Sequence, residues 1–404
     1  MGNYKNMHIV LVDFISEGHH ETYLRQFIKC LLEMGNKLTV FYPQNKKLTA
    51  WLESELPEYS SLICINEITE YPIQHYSRFS VLQKWKIVKK IIRTNHLKPN
   101  LVFFAWVDDF RFRKDHPLLD RFYLKWVEWF FPYMWSGLYF HPVHLRNEAN
   151  PVNKYSGYDI DDIFKLKNCT SVCLLDKEIR KKLENKIHKP VIHFPDFTDD
   201  RINELSEVAN GLKIKANGRK IVLLIGALMK RKGIFTFLEA AKQSIDEPWL
   251  FVIAGKIFRN YFSDDELRLI DDHILHPRRN VIIYPYHLEE SEFNAIVNIC
   301  HILYAAYLDF PHTSNMLNKA SIYHKPLVVS KGFYMDEVVS KFKIGEVINE
   351  TNPIEARIAI KKILETENYI NREMREGFEL YRIENSVEKL RSAFQEVLRI
   401  AAIR

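Results

Sequence analysis

The 404-residue chain predicts an α/β protein: two doubly wound, Rossmann-like domains facing a cleft. Three observations carry this expectation. The length exceeds that of one ordinary domain, so two are expected. Across the second half, short apolar runs alternate with helical patterns, which is the order of βαβ units around a parallel sheet. The first half repeats that alternation less regularly. Nearly half the residues are apolar (47%) and no long low-complexity tract interrupts them, so the chain folds.

The elements follow in order. HIVLVDF (8–14) reads as a strand, ETYLRQFIKCLLEMG as a helix closed by Gly35, and KLTVFYP (37–43) as the next strand. NLVFFAW, GLYFHP, SVCLLD and PVIHFP are further strands. The polar, turn-rich stretch 199–218, DDRINELSEVANGLKIKANG, marks the domain boundary. It divides the chain into an N-terminal domain, 1–205, and a C-terminal domain, 206–404. In the second domain KIVLLIG (220–226), WLFVIAG (249–255), NVIIYPY (280–286), ILYAAY (302–307), PLVVS (326–330) and GEVIN (345–349) are six buried strands with helical runs between them. The long amphipathic run SVEKLRSAFQEVLRIAAIR (386–404) follows that sheet and is assigned to the same domain. Doubly wound sheets bind ligands at the carboxyl ends of their strands, so chemistry is expected on the loops that precede the helices.

Charge and cysteines narrow the class. The net charge of +6 suits an anionic ligand or an anionic membrane surface and is too small to argue for nucleic acid. Of the five cysteines only Cys169 and Cys173 are close, inside the apolar run CTSVCLL. Buried free thiols in a reducing compartment are expected rather than a metal pair. HIVLVDF is strand-length rather than a leader. MGNYKN lacks the Ser or Thr of a myristoylation signal. The longest uncharged run, Trp129 to Leu145, is broken by proline and glycine and is too short to span a bilayer. A cytoplasmic protein is expected, soluble or peripheral at the inner face of the membrane.

Two stretches carry an anion site. In IVLLIGALMKRKGIFTFLEAAK a buried strand ends at Gly226, a loop brings Lys230, Arg231 and Lys232, and Gly233 opens a helix. Cations at a helix N-terminus oppose its macrodipole unless an anion lies between them; the plain alternative is a solvated basic loop. In TSNMLNKASIYHKPLVV (313–329), Thr313 or Ser314 caps a helix and leaves the amides of Asn315, Met316 and Leu317 for a ligand. The alternative there is an ordinary capped helix.

Those residues bring a resemblance into view. GALMKRKGI…LEAA, LFVIAG, NVIIYPY and NKASIYHKPLVVS, with MHIVLVDFISEGHH…L…L…MGNKLTV near the start, resemble the retaining GT-B glycosyltransferases of the large family 4 type. The resemblance covers nearly the whole chain. It implies a nucleotide-diphosphate sugar donor, UDP or GDP, with no bound cofactor and no metal. It implies that Arg231 and Lys232 hold the donor diphosphate and that Ser314, Asn315, Met316 and Leu317 form an amide cradle. Gly18 would let backbone approach the donor phosphate, and the backbone at Tyr286 would hold the base. His141, after the strand GLYFHP, would contact the transferred sugar, with His144 as the alternative. Three positions depart from the family. Ala227 stands where an arginine is usual, and the two family glutamates fall on Pro311 and Lys319. A lysine can only donate. Lys319 is therefore expected to face the ribose–diphosphate region and to replace the charge lost at Ala227. Asp309 is the nearest substitute for the first glutamate, and with His141 it would position the donor sugar.

Other stretches offer alternatives. RFSVLQKWKIVKKIIRTNHLK (78–98) is basic without an acid, and Val81, Leu82, Trp85, Val88, Ile91 and Ile92 share one helical face. With the aromatic run 120–140 it resembles the membrane-facing part of lipid-glycosylating relatives; packing of that face on its own sheet is the other reading. His19 and His20 with Glu17 and Glu21 fit a loop against phosphate better than a metal. Asp108 and Asp109, after NLVFFAW, either bind acceptor hydroxyls or cap the next segment. The function expected is retaining sugar transfer to an acceptor hydroxyl, saccharide or lipid-linked. The alternatives are a non-catalytic GT-B partner subunit and a nucleotide-sugar epimerase.

Overall fold

The structure is a computed structural model and describes residues 6–16, 20–70, 77–113, 116–146, 158–198, 200–366 and 368–403. The chain forms two compact units, Met1–Asp196 with Asn385–Arg404, and Phe197–Glu384.

The first unit holds strands β1 (His8–Val12), β2 (Lys37–Tyr42), β3 (Ile63–Glu67), β4 (Leu101–Phe104), β5 (Phe112–Arg113), β6 (Trp135–Tyr139), β7 (Tyr158–Asp159), β8 (Cys169–Leu174) and β9 (Val191–His193). Seven of them form one sheet in the order β3-β2-β1-β4-β6-β8-β9, parallel throughout. The helices are α1 (His20–Glu33), α2 (Asn45–Glu55), α3 (Arg78–Thr94), α4 (Pro117–Phe130), α5 (Asp161–Phe164) and α6 (Arg180–Ile187). Helices cover both faces of such a sheet, so β4 and β8 are buried along their whole length. Helix α1 buries Tyr23, Leu24, Phe27, Ile28 and Leu31, the spacing of an amphipathic helix on a sheet.

Helix α3 settles one of the alternatives. Its apolar stripe Val81, Trp85, Val88 and Ile92 belongs to the core, and the Trp85 ring meets Phe104, Phe110, Phe131 and Trp135. Those four pack on their own sheet, while Leu82 and Ile91 of the same stripe are half-buried.

The second unit holds β10 (Lys220–Ile225), β11 (Trp249–Ala254), β12 (Val281–Tyr284), β13 (Ile302–Ala305), β14 (Leu327–Ser330) and β15 (Gly345–Ile348). Their order is β12-β11-β10-β13-β14-β15, again all parallel. The connecting helices are α7 (Glu207–Ala216), α8 (Ile234–Gln243), α9 (Asp264–Leu275), α10 (Glu290–Ile299), α11 (Asn315–Tyr323), α12 (Tyr334–Phe342), α13 (Pro353–Glu365) and α14 (Arg372–Glu384). The chain order reverses between β10 and β13 here, and between β1 and β4 in the first unit. Those switch points open crevices at the strand carboxyl ends.

The structure moves two domain assignments. The boundary falls at 196/197 rather than 205/206, because the segment after it bonds into the second unit: the Asn203 amide donates to Ser291 O at 3.0 Å and Asn294 Nδ2 to Arg201 O at 2.7 Å. The last helix, α15 (Val387–Ile403), belongs to the first unit instead of the second. Its Phe394 ring packs edge-on to Phe27 and Phe194 and tilted on Phe103, and Arg391 pairs with Glu33 at 2.6 Å.

Candidate functional site

In the second unit the loop after β10 makes a 3-10 turn, Lys230–Lys232, before α8. Gly233 closes it at φ 73°, and a Cβ there would lie 2.5 Å from Ala306 O, so only glycine fits. The turn points Arg231 and Lys232 inward. Lys232 is 8% exposed. Its Nζ donates to Tyr307 Oη at 2.7 Å and lies 4.0 Å from the Tyr307 ring centre. The Arg231 guanidinium lies 4.6 Å from the Phe310 ring centre, and its enclosed Nη1 has no hydrogen-bond partner. Burial above all lowers the pKa of both groups; Tyr307 acts in the opposite sense, and Arg231 adds to the lowering at Lys232. Among the described residues no carboxylate pairs with either cation. Lys230 differs: it pairs with Glu266 at 2.5 Å and pulls that carboxyl below its ordinary range.

Adjacent cations without a counter-charge, Lys232 buried and Arg231 half-buried, are expensive, since a buried ion costs several kcal/mol even after relaxation. What they can do chemically is bind an anion, with charge-assisted donors already desolvated.

The loop after β13 supplies Tyr307 and Phe310 and runs directly into α11. Ser314 caps α11, accepting from the Met316 amide at a long 3.4 Å. The Leu317 amide donates to Ser314 O at 2.9 Å, so it is not free, contrary to the expected cradle of three amides. Asn315 Oδ1 and Asn318 Nδ2 are enclosed without partners. Asp309 is exposed at φ 42°, its amide bonded to Glu350 Oε1 at 2.9 Å. Tyr286 lies past the end of β12, 44% exposed and edge-on to Tyr284.

Lys319 does not reach out as a free cation toward a phosphate. It is fully buried, and its Nζ donates to Glu290 Oε1 at 2.5 Å and to Asn294 Oδ1, both on α10. With its charge engaged by Glu290, it does not replace the cation missing at Ala227.

In the first unit, Asp13 follows β1 and binds His20 Nδ1 at 2.9 Å. The His20 ring stacks on Trp106, and Trp106 stacks on Phe140, each at 4.0 Å. The sequence places His20 in a loop against phosphate or at a metal and does not show its pairing with Asp13. The available signal was an acid ending a strand and a histidine opening the next helix. Asp108 is 2% exposed, and its two oxygens accept from the amides of Phe140 and His141, both at 2.7 Å. Burial raises its pKa, against Arg111 and those two amides. Asp108 is therefore no contact for acceptor hydroxyls: it fixes the backbone that carries His141. The His141 ring stays about one-third exposed, with Nδ1 3.8 Å from Asp108 Oδ1. His144 has both nitrogens engaged, Nε2 with Asp161 at 2.9 Å and Nδ1 with Tyr139 Oη at 3.3 Å. Asp109 accepts Lys84 Nζ on its carbonyl at 2.5 Å. Gly18, with Glu17 and His19, lies outside the described residues. Among the described residues no three His, Cys, Asp or Glu side chains form a metal-binding group.

Residues 212–379 match the family Glycosyl transferases group 1. A comparison with curated proteins finds no match. Solved structures are similar along almost the entire chain. A glycosyltransferase from Rickettsia africae aligns over 98% of this chain and 99% of its own, at 13% identity and TM-score 0.67. The sucrose-phosphate synthase of Thermosynechococcus elongatus aligns over 98% of each chain, at 14% identity and TM-score 0.69. Anabaena HepE, in complex with UDP and glucose, aligns over 98% of this chain and 100% of its own, at 13% identity and TM-score 0.66. At such identities the likeness is one of fold.

Proposed function

We propose that this chain, a glycosyltransferase of GT-B fold with a group 1 glycosyl transferase domain, moves a sugar from a UDP-sugar to an acceptor hydroxyl with retention of configuration. The observation that carries the reading is the pair of buried Lys232 and half-buried Arg231, its Nη1 enclosed, which has no carboxylate partner among the described residues. A donor diphosphate is the anion that fits them. UDP is preferred to GDP because Anabaena HepE holds UDP in a similar fold.

On this reading the diphosphate takes the Arg231 and Lys232 donors and the amide of Asn315. As the bond between the sugar and the diphosphate breaks, negative charge grows on the leaving phosphate. Fixed, desolvated cations then stabilise the transition state more than the ground state. The exposed His141 imidazole, its backbone held by Asp108, is the first unit's group for bonding a sugar hydroxyl. Asp309 is the carboxylate nearest in sequence to Pro311, where the family's first glutamate would stand, and with His141 it would position the donor sugar. The test is twofold. UDP should raise the melting temperature more than GDP or ADP at equal concentration. Proton NMR of the product from a UDP-sugar screen should show the donor's own anomeric configuration; the opposite anomer would refute retention. Nucleotide binding with no turnover on any donor or acceptor would favour a non-catalytic subunit.

A lipid-linked acceptor is favoured by one surface. Helix α4 exposes Leu118 and Phe122 (74% and 71%), Leu119 and Trp129, with Arg121 and Lys125 beside them. Aromatic and basic residues on one helix face suit an anionic membrane interface. Phe122→Ser with Trp129→Ser should abolish co-sedimentation with vesicles containing anionic lipid. A wild type that fails to sediment with them at low salt removes this reading.

A further inference from the structure

Asp13 and Trp106 follow β1 and β4, the two strands between which the order of the first sheet reverses. Ligands of doubly wound sheets bind in the crevice at such a place. His20, the first residue of α1, touches both. Its Nδ1 lies 3.0 and 2.9 Å from the two Asp13 oxygens, and its ring stacks on Trp106 at 4.0 Å. Asp13 is 2% exposed, and its Oδ1 also accepts the Ile15 amide at 3.0 Å. A carboxylate only accepts, so the proton of the neutral imidazole sits on Nδ1 and Nε2 carries the lone pair. Three other histidines of this unit bond Nε2 within the fold: His8 to Thr39, His144 to Asp161 and His193 to the Leu175 carbonyl. Nε2 of His20 makes no hydrogen bond among the described residues, although the side chain is only 9% exposed. A nearly buried polar atom without a partner in the fold requires one from outside it.

We propose that His20 Nε2 takes the proton of the acceptor hydroxyl during sugar transfer, with Asp13 as its positioning residue. The proposal deepens the sugar-transfer reading above and rests on it. His141, the group assigned there to a sugar hydroxyl, lies 6.2 Å from the same Trp106 ring, centre to centre, so both imidazoles border one crevice. As the acceptor oxygen bonds to the anomeric carbon, its proton passes to Nε2. The bond from that carbon to the diphosphate breaks, and its electron pair leaves with UDP. Asp13 holds the tautomer that can accept and stabilises the imidazolium that forms. The face of attack is a separate matter, read from the product anomer.

The test uses the full chain, with UDP-glucose, UDP-galactose and UDP-N-acetylglucosamine as donors and water, the smallest hydroxyl, as acceptor. His20→Ala should lower kcat for donor hydrolysis by about 100- to 10,000-fold, the range for a general base, with UDP affinity by calorimetry unchanged. Asp13→Asn keeps the side-chain volume and carries the test if His20→Ala fails to fold. Its Oδ1 stays with the Ile15 amide, so its amide nitrogen faces His20 Nδ1 and drives the proton to Nε2. Hydrolysis should fall in that variant as well. Nitrogen NMR of labelled histidine should show Nε2 unprotonated in the neutral wild-type ring and protonated in Asp13→Asn, a reversal that a pair merely bracing α1 would not link to turnover. Unchanged hydrolysis in both variants, a protonated Nε2 in the neutral wild-type ring, or no hydrolysis of any of the three donors by the wild type overturns the proposal. A fall in UDP affinity in His20→Ala also overturns it, by placing His20 against the donor phosphate. In each of these cases UDP still binds the wild type and the donor reading stands. If UDP does not bind the wild type, both fall.

Discussion

The first unit matches its buried aspartates, whereas one loop of the second leaves two cations without a carboxylate. In the first, Asp161 is 1% exposed and meets His144 at 2.9 Å and Lys186 at 2.5 Å, contacts that offset its burial and leave its pKa lowered. Asp176 binds Arg146 Nη2 at 2.8 Å, and Asp108 accepts two amides. In the second, Arg231 and Lys232 are enclosed by Tyr307 and Phe310, and no carboxylate answers them. Charges that are matched inside the fold hold it together. Charges that are buried and left unmatched cost stability unless something outside the chain completes them.

The largest effect should come from the unmatched pair. Lys232→Ala should lower kcat/KM by about 10- to 150-fold with the circular dichroism spectrum intact. Part of the loss should appear in kcat, since charge on the leaving diphosphate grows along the reaction. Arg231→Ala should behave alike, because the structure turns its guanidinium inward; an active Arg231→Ala would break the comparison at that residue. Next is the matched network. Asp161→Ala should cost about 1–3 kcal/mol of unfolding free energy by denaturant titration, with Lys186 partly rescued by solvent, and should leave UDP affinity unchanged.

A sharper form sets the two kinds of charge side by side. Lys232→Met removes a buried cation that the fold does not match. It should leave the nucleotide-free melting temperature unchanged or raised, while the rise induced by UDP shrinks. A melting temperature that falls by several degrees would place Lys232 among the structural charges.

The smallest effect concerns His301, a control within the second unit. Its Nδ1 accepts the Ile221 amide at 3.1 Å, and burial, then Lys220 and Lys325, lower its pKa from 6.5 to about 4. The unfolded chain therefore takes up this proton first as pH falls. Stability from this group is full above about 6.5 and is lost as pH drops toward 4. His301→Asn should flatten that acid limb without changing UDP affinity at pH 7.

Much of this contrast could be read in the sequence, and the rest could not for identifiable reasons. KIVLLI and WLFVIA announce buried parallel strands because both faces are covered and no polar residue interrupts them. The cation loop was legible because glycine, basic residues and helix start follow one another locally. Partner identity is not local. Nothing in SVEKLRSAFQEVLRIAAIR says that Phe394 will meet Phe27 and Phe103, hundreds of residues earlier, so α15 was expected on the nearer domain. Lys319 reads as a free cation until Glu290, on another helix, is seen against it. Asp108 and His144 read as polar groups beside a crevice. Only their bonds to the Phe140 and His141 amides and to Asp161 turn them inward.

The central claim is that Arg231 and Lys232 are turned inward for a diphosphate. Calorimetric titration of UDP into the wild type, Lys232→Ala and Arg231→Ala tests it most directly. The account predicts one site per chain in the wild type and an affinity about 10- to 150-fold weaker in each variant. Equal affinity in all three proteins would contradict it.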